Sequence, residues 1–207
     1  MTVVKIIIYE RLPDKLTVIP SNKYICEHIS KIKSYDYKLM STLAYTCFAD
    51  TLQEATGVNI SQISITENEH GKPIITDRDL HFNISHSKNA VMCALSDKSI
   101  GVDIEHITQK RDSIIKKCFT DTEAAWVRTD EDFFRIWTLK ESYLKATGTG
   151  IISPLTRLSF TLGDKIVCHD EQKASTLNFY SGSAYGYAYS VCSHESITPD
   201  NIIITKK

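Results

Sequence analysis

Two acids two residues apart, Asp103 and Glu105, stand in the hexapeptide Ile100-Gly101-Val102-Asp103-Ile104-Glu105. In an extended strand alternate side chains share a face, so Ile100, Val102 and Ile104 point one way and both acids the other. Side-by-side carboxylates repel and are best accommodated with a cation between them. Hard oxygen ligands of this kind suit Mg²⁺, which takes one or two carboxylates and fills its octahedron with water and substrate phosphate. The same pattern also describes an amphipathic strand with a solvated acidic face. A second acid–base pair lies in Phe133-Phe134-Arg135-Ile136-Trp137-Thr138-Leu139-Lys140-Glu141-Ser142-Tyr143-Leu144-Lys145, where helical spacing sets Glu141 and Lys145 one turn apart. As a surface pair they would add roughly 0.2–0.5 kcal/mol to the helix. Phe134, Trp137 and Thr138 fall on the same side, which makes the pair emerge from the edge of an apolar surface.

These side chains need elements to hold them. The start, Thr2 to Tyr9, reads as a first strand and not as a signal peptide, because Lys5 interrupts its apolar run and no small-residue cleavage site follows. Apolar residues at helical spacing predict a helix over about Tyr37–Ala55, stopped by Gly57. Lys31, Lys33 and Lys38 lie before or at its start, where they fit either an anion at the helix dipole or ordinary surface lysines. Alternation predicts strands over Ile60–Ile65, His81–Ser85, Ala90–Leu95 and Ile100–Ile104, with a short one at Ile74–Ile75. His86 falls at a strand end beside Ser85, a place where polar residues also serve turns. A short helix is expected over Asp112–Cys118. Thr120 and Glu123 match a capping box, which gives Glu123 a structural role as helix cap. A long helix follows from Thr129 or Asp130 to Thr147, ended by Gly148 and Gly150. From residue 151 the pattern is strand and turn: 158–162, 165–168, 176–180, 185–192 and 202–205, with Tyr185, Tyr187 and Tyr189 on one face.

The 207 residues allow one large domain or two small ones, and 42% hydrophobic against 24% charged residues makes a folded core the expectation. A formal net charge of −1 argues against bulk nucleic acid as partner, since no basic excess exists to neutralise phosphates. No apolar run approaches the ~20 residues that span a bilayer. The six cysteines are scattered, with no C-x-x-C pair, which suits a reducing, cytoplasmic setting without a disulfide framework or zinc site.

Three stretches taken together resemble the signature of the 4′-phosphopantetheinyl transferases, of the type that activates surfactin synthetase. They are Gly71-Lys72-Pro73 followed by Phe82-Asn83-Ile84-Ser85-His86-Ser87, then Gly101-Val102-Asp103-Ile104-Glu105, then Trp137 through Lys145. The resemblance implies an α+β pseudo-dimer of two similar halves with the active site in the cleft between them. Here the halves are 1–100, contributing to coenzyme A binding, and 101–207, carrying the metal site and carrier docking. It implies transfer of the phosphopantetheine arm of coenzyme A to a serine of an acyl or peptidyl carrier protein, releasing 3′,5′-ADP, by a monomer. Asp103, Glu105 and Glu141 would be the Mg²⁺ ligands, with Mn²⁺ an alternative, and Lys145 would contact the pyrophosphate. Lys72, Pro73, Ser85 and His86 would belong to the coenzyme A pocket. Lys38 falls where the family often has an arginine and would meet a 3′-phosphate as a point charge. Glu123 matches a further acid of the family near the metal, alongside its capping role.

The chemistry suits these residues. Displacing one phosphate of a pyrophosphate needs the leaving charge neutralised and the attacking hydroxyl held in line. Mg²⁺, Lys145 and His86 would supply positive charge where it accumulates. The serine needs a base, either Glu141 or a metal-bound water. Carrier proteins are usually acidic, so a basic and apolar docking surface is expected, with Arg111–Trp126 the candidate. Fatty-acid, polyketide and nonribosomal peptide carriers all remain open. Two other classes compete: a non-catalytic module binding coenzyme A or carriers on the same fold, and an Mg²⁺-dependent phosphohydrolase acting on a nucleotide. The latter lacks a glycine-rich P-loop and a second acid cluster.

Overall fold

The computed structural model describes residues 1–15, 18–150, 154–171 and 176–207. Strand β1 (Thr2–Ile8) is followed by helices α1 (Lys23–Lys31) and α2 (Tyr35–Thr56), then strands β2 (Ile65–Glu67), β3 (Pro73–Ile75), β4 (His81–Ser87), β5 (Ala90–Ser96) and β6 (Ile100–His106). Helices α3 (Asp112–Cys118), α4 (Asp121–Trp126) and α5 (Asp130–Thr147) come next, and then strands β7 (Leu158–Leu162), β8 (Ile166–Asp170), β9 (Asn178–Ala184), β10 (Tyr187–Ser193) and β11 (Ile202–Lys206). This is the expected α+β class. The stretch expected to turn to strands from residue 151 does so from β7; residues 151–153 lie outside the described residues.

Two sheets carry the molecule, one ordered β11-β1-β5-β4 and the other β6-β10-β9. Strand β11 runs parallel to β1, so a strand from the end of the chain completes the sheet built by the first hundred residues. On the outer face of the first sheet, α2 buries Ala44, Cys47, Phe48 and Leu52 against Phe82, Val91, Cys93 and Leu95. Phe48 and Phe82 stack with ring centroids 4.1 Å apart. The inner face, with Val4, Ile6, Ala90 and Met92, meets Ile100, Val102 and Ile104 of β6 and Tyr187, Tyr189 and Val191 of β10. Helix α5 covers the far face of the second sheet, packing Leu139 and Tyr143 in one cluster with Ala188 and Cys192. The layers therefore run helix, sheet, sheet, helix. Each large apolar side chain so buried contributes about 1.5–3 kcal/mol.

The alternation of β6 is used as predicted, but its acidic face is not solvated. Gly101, Asp103 and Glu105 look toward α5. That close approach depends on Gly101, because a Cβ there would lie 2.9 Å from the Ala146 Cα and closer still to the Ser142 carbonyl oxygen and the Ala146 nitrogen. The missing side chain lets helix backbone rest on strand backbone.

Two expectations are corrected, and one helix was not foreseen. Residues 60–62 form a 3₁₀ turn and not a strand, and pairing starts only at Ile65. The cause is local: Asn59 and Gln62 exchange side-chain-to-backbone bonds as a capping box, which closes the turn. Helix α1 was not foreseen; Asn22 caps it, and only Ile25 and Ile29 anchor it in the core. Tyr185 does not share a strand face with Tyr187 and Tyr189. It sits with Gly186 in the turn between β9 and β10, both at positive φ, and is exposed, whereas the other two tyrosines are buried. A tight hairpin of this kind needs two left-handed residues, and glycine supplies the second without strain.

Candidate active site

Strand β6 is fixed on its open edge by side chains, not by a backbone ladder. Asn83 Oδ1 accepts the Val102 amide at 2.8 Å, Ser85 Oγ the Ile104 amide at 3.4 Å and Ser87 Oγ the His106 amide at 3.1 Å. The period of two along β4 matches the period of two along β6. This places polar side chains of the first sheet against the acids of the second.

Lys145, from the last turn of α5, closes the group. Its Nζ donates to Asp103 Oδ1 at 2.6 Å and to Ser85 Oγ at 3.0 Å. Ser85 Oγ in turn donates to Asp103 Oδ1 at 2.9 Å, and Ser87 Oγ donates to Glu105 Oε2 at 2.7 Å. Asp103 is buried, and its second oxygen, Oδ2, is enclosed without a hydrogen-bond partner. Burial, and then the Asp103 charge, push both Glu105 and Glu141 above the usual carboxylate range, while Lys145 opposes both shifts. The Glu105 charge also raises Glu141. Three acids therefore feel one another in a half-enclosed site, a concentration of negative charge that a proton or a further cation relieves.

As the side chains stand, no cluster of three or more His, Cys, Asp and Glu residues among those described is drawn together tightly enough to hold an ion. The donor chemistry nevertheless fits a hard divalent cation. All three acids offer oxygen, and the enclosed Asp103 Oδ2 is an anionic acceptor left without a partner, which a protein interior ordinarily avoids.

The remaining predicted residues surround this group. A cavity of about 280 Å³ is bounded by Lys72, Pro73, Asn83, Glu141, Lys145 and Gly148, among others. A second, of about 310 Å³, is bounded by Tyr37, Ser41, Ser85, His86 and Lys145 and shares Gly71, Pro73 and Ile84 with the first. His86 Nε2 lies 3.2 Å from Ser41 Oγ, and its ring meets Tyr37 edge-on at 4.9 Å. Burial, reinforced by the nearby Lys145 ammonium, pulls His86 down to about 4. It is therefore neutral near pH 7, unlike the cation the sequence suggested. Lys72 Nζ donates to the carbonyls of Ile100 and Ala146, both at 3.3 Å, and burial lowers it to about 8. Lys72 thus ties the start of β6 to the end of α5 while lining the first cavity. Lys38 occupies the first turn of α2, one turn before Ser41, and is half-buried.

Glu123 lies elsewhere in purpose. It is 1% exposed and caps α4 by accepting the Thr120 amide at 2.9 Å. It also accepts the Phe160 amide at 2.9 Å and pairs with Lys140 Nζ at 2.9 Å. Lys140, fully buried, donates to the Leu158 and Leu155 carbonyls as well. Burial lowers Lys140 and the Glu123 carboxylate opposes that shift. Sequence reasoning missed Lys140: a lysine on a helix reads as surface, and the only signal was its place one turn from the apolar Ile136 and Leu144.

Comparison with known proteins identifies the family. The family model described as the 4′-phosphopantetheinyl transferase superfamily matches residues 99–198. The 4′-phosphopantetheinyl transferase gsp of Aneurinibacillus migulanus is 36% identical over 153 residues, which is 70% of this chain and 63% of that one. The 4′-phosphopantetheinyl transferase Sfp of Bacillus subtilis is 34% identical over 153 residues, 69% of this chain and 68% of that one. HetI, a 4′-phosphopantetheinyl transferase of Nostoc sp., is 41% identical over 108 residues, 46% of each chain. The chain thus spans between 46% and 68% of the lengths of these relatives. The solved holo-[acyl-carrier-protein] synthase of Thermotoga maritima superposes with a TM-score of 0.42 at 18% identity, over 48% of this chain and 64% of that one, too loosely to carry an argument.

Proposed function

This chain belongs to the 4′-phosphopantetheinyl transferase superfamily, and from that premise we propose that it moves the phosphopantetheine arm of coenzyme A onto a serine hydroxyl of an apo carrier protein, releasing 3′,5′-ADP. The observation that carries the reading is the junction of the two sheets. There Lys145 bridges Ser85 and Asp103, and Glu105 and Glu141 crowd the same group beside a cavity.

In this reading Asp103, Glu105 and Glu141 hold Mg²⁺, or Mn²⁺ in its place. The bound ion supplies Lewis-acid stabilisation of charge developing on the pyrophosphate. Lys145 would contact that pyrophosphate by exchanging its bond to Asp103 for one to a phosphate oxygen. His86, held neutral, gives coenzyme A a hydrogen bond, and Lys38 supplies the nearby positive charge for a phosphate. Lys72 and Pro73 line the cavity as wall residues, with Lys72 free to do so through its stem. Glu141 lines the first cavity and is the candidate for taking a proton from the attacking serine. Glu123 is assigned to structure, not to the site.

The carrier is an acyl or peptidyl carrier protein of fatty-acid, polyketide or nonribosomal peptide synthesis. It docks along Arg111–Trp126, where α3 buries none of its residues fully and carries Lys116 and Lys117 in its last turn. Arg111 adjoins the acids closely enough to favour the charged form of Glu105. The protein acts as a cytoplasmic monomer of two halves meeting near Gly101, without a nucleic acid or membrane partner. Six cysteines outside any disulfide suit that setting, and no helix among the described residues is long and apolar enough to cross a membrane. The test is chromatographic: 3′,5′-ADP should form from coenzyme A and Mg²⁺ only when an apo carrier is added. Equal release without carrier would point to a phosphohydrolase instead.

A further inference from the structure

Ser87 has no part in the roles assigned above, yet it holds one of the three acids. We infer that Ser87 is a positioning residue that fixes Glu105 for metal binding, an inference that rests on the metal reading given under Proposed function. Its Oγ lies 2.7 Å from Glu105 Oε2 and 3.1 Å from the His106 amide nitrogen. The amide can only donate, so the hydroxyl must accept from it. Its single proton is then committed to the Glu105 carboxylate.

The amide sets the direction of the serine, and the serine sets the direction of the acid. Ser85 repeats this pattern one step earlier, accepting from the Ile104 amide and donating to Asp103. Two serines two residues apart on one face of β4 therefore orient two acids two residues apart on β6. Glu105 differs from Asp103 in having no lysine on it. Among the described residues Ser87 is its one hydrogen-bond donor, and Oε1 is left without one. Glutamate also has one more rotatable bond than aspartate. Without Ser87, Glu105 is opposed by the Asp103 charge and attracted only at a distance by Lys145 and Arg111, neither of which hydrogen-bonds it, so it would swing away from the neighbouring acids. Groups that orient a metal ligand typically change metal affinity by about 10–100-fold when removed.

The experiment uses the full chain with coenzyme A present and Mn²⁺ as the probe, following free Mn²⁺ by electron paramagnetic resonance. Ser87→Ala is expected to weaken Mn²⁺ binding about 10-fold or more, and Ser87→Thr, which keeps the hydroxyl at a half-buried position, to stay within about threefold of wild type. Amide exchange of the metal-free protein provides the second readout. The His106 amide should exchange faster in Ser87→Ala and not in Ser87→Thr. Wild-type Mn²⁺ affinity in Ser87→Ala overturns the inference, and so does an equal loss in Ser87→Thr. A wild-type protein that binds no Mn²⁺ removes the metal reading, and this inference with it; the wild-type titration alone reports that case.

Discussion

Replacing Gly101 with alanine tests how the site is assembled more sharply than removing any of its charged groups. The new methyl would stand 2.9 Å from the Ala146 Cα, where carbon atoms ordinarily sit about 3.5–4.0 Å apart. Against the Ser142 carbonyl oxygen and the Ala146 nitrogen the deficit is larger still. All three nearest atoms are helix backbone, so no side-chain rotation relieves the clash. Helix α5 must retreat from β6, and Glu141 and Lys145 travel with it away from Asp103 and Glu105. Overpacking of this sort costs about 1–3 kcal/mol, which should leave the domain folded. A misplacement of about 1 Å at the reacting groups costs on the order of 100-fold in rate. Urea unfolding and the kcat/KM for carrier modification, measured on one preparation, read the two effects separately. We expect Gly101→Ala to lose ~2 kcal/mol of stability and about 100-fold in kcat/KM. Adding Ala146→Gly should not rescue it, because the clash is with the backbone and not with the Ala146 methyl. A Gly101→Ala protein within threefold of wild-type kcat/KM would refute the reasoning, and so would full rescue by Ala146→Gly.

Other consequences follow from the same geometry. Glu141→Gln should reduce transfer by more than ~100-fold even with saturating Mg²⁺; wild-type turnover would remove Glu141 from the mechanism. Glu123→Gln leaves the buried Lys140 ammonium uncompensated and should cost about 3–5 kcal/mol in urea unfolding, whereas the double change with Lys140→Met should recover much of that loss. His86 is held near 4 in the fold against about 6.5 when unfolded. The unfolded chain therefore binds more protons between those values, and the contribution to stability is complete above pH 6.5 and lost as pH falls toward 4. Because His86 is partly exposed, we expect a loss of about 1–2 kcal/mol. His86→Gln should be less sensitive to that amount when unfolding is compared at pH 7.5 and 4.5; equal slopes would contradict the assignment.

The local half of this site was legible in the sequence. Alternation exposed the Asp103–Glu105 face, and helical spacing put Glu141 beside Lys145, because both patterns follow from the repeat of a single element. What the face meets is not written in any one element. The contact between Lys145 and Asp103 depends on a helix forty residues away lying on Gly101, and a glycine in a strand reads first as a weak point. Likewise, Asn83, Ser85 and Ser87 look like ordinary polar residues of an edge strand until β6 is set beside them. Helix α1 was hidden because two isoleucines at a spacing of four, behind a turn-like Asn22, give too short a period. The return of β11 to the first sheet is a topological fact with no local signal. Lys140 misled because composition rules expect lysine outside, and a buried lysine becomes tolerable only once Glu123 and the carbonyls around it are in place.

The central claim is most directly tested by intact-protein mass spectrometry of an apo carrier protein incubated with this chain, coenzyme A and Mg²⁺, with and without EDTA. The account predicts that the carrier gains the mass of one phosphopantetheine arm, that EDTA abolishes the gain, and that Asp103→Asn does the same without added chelator. A carrier that stays unmodified across fatty-acid and peptide-synthesis types would contradict it, as would full modification in EDTA.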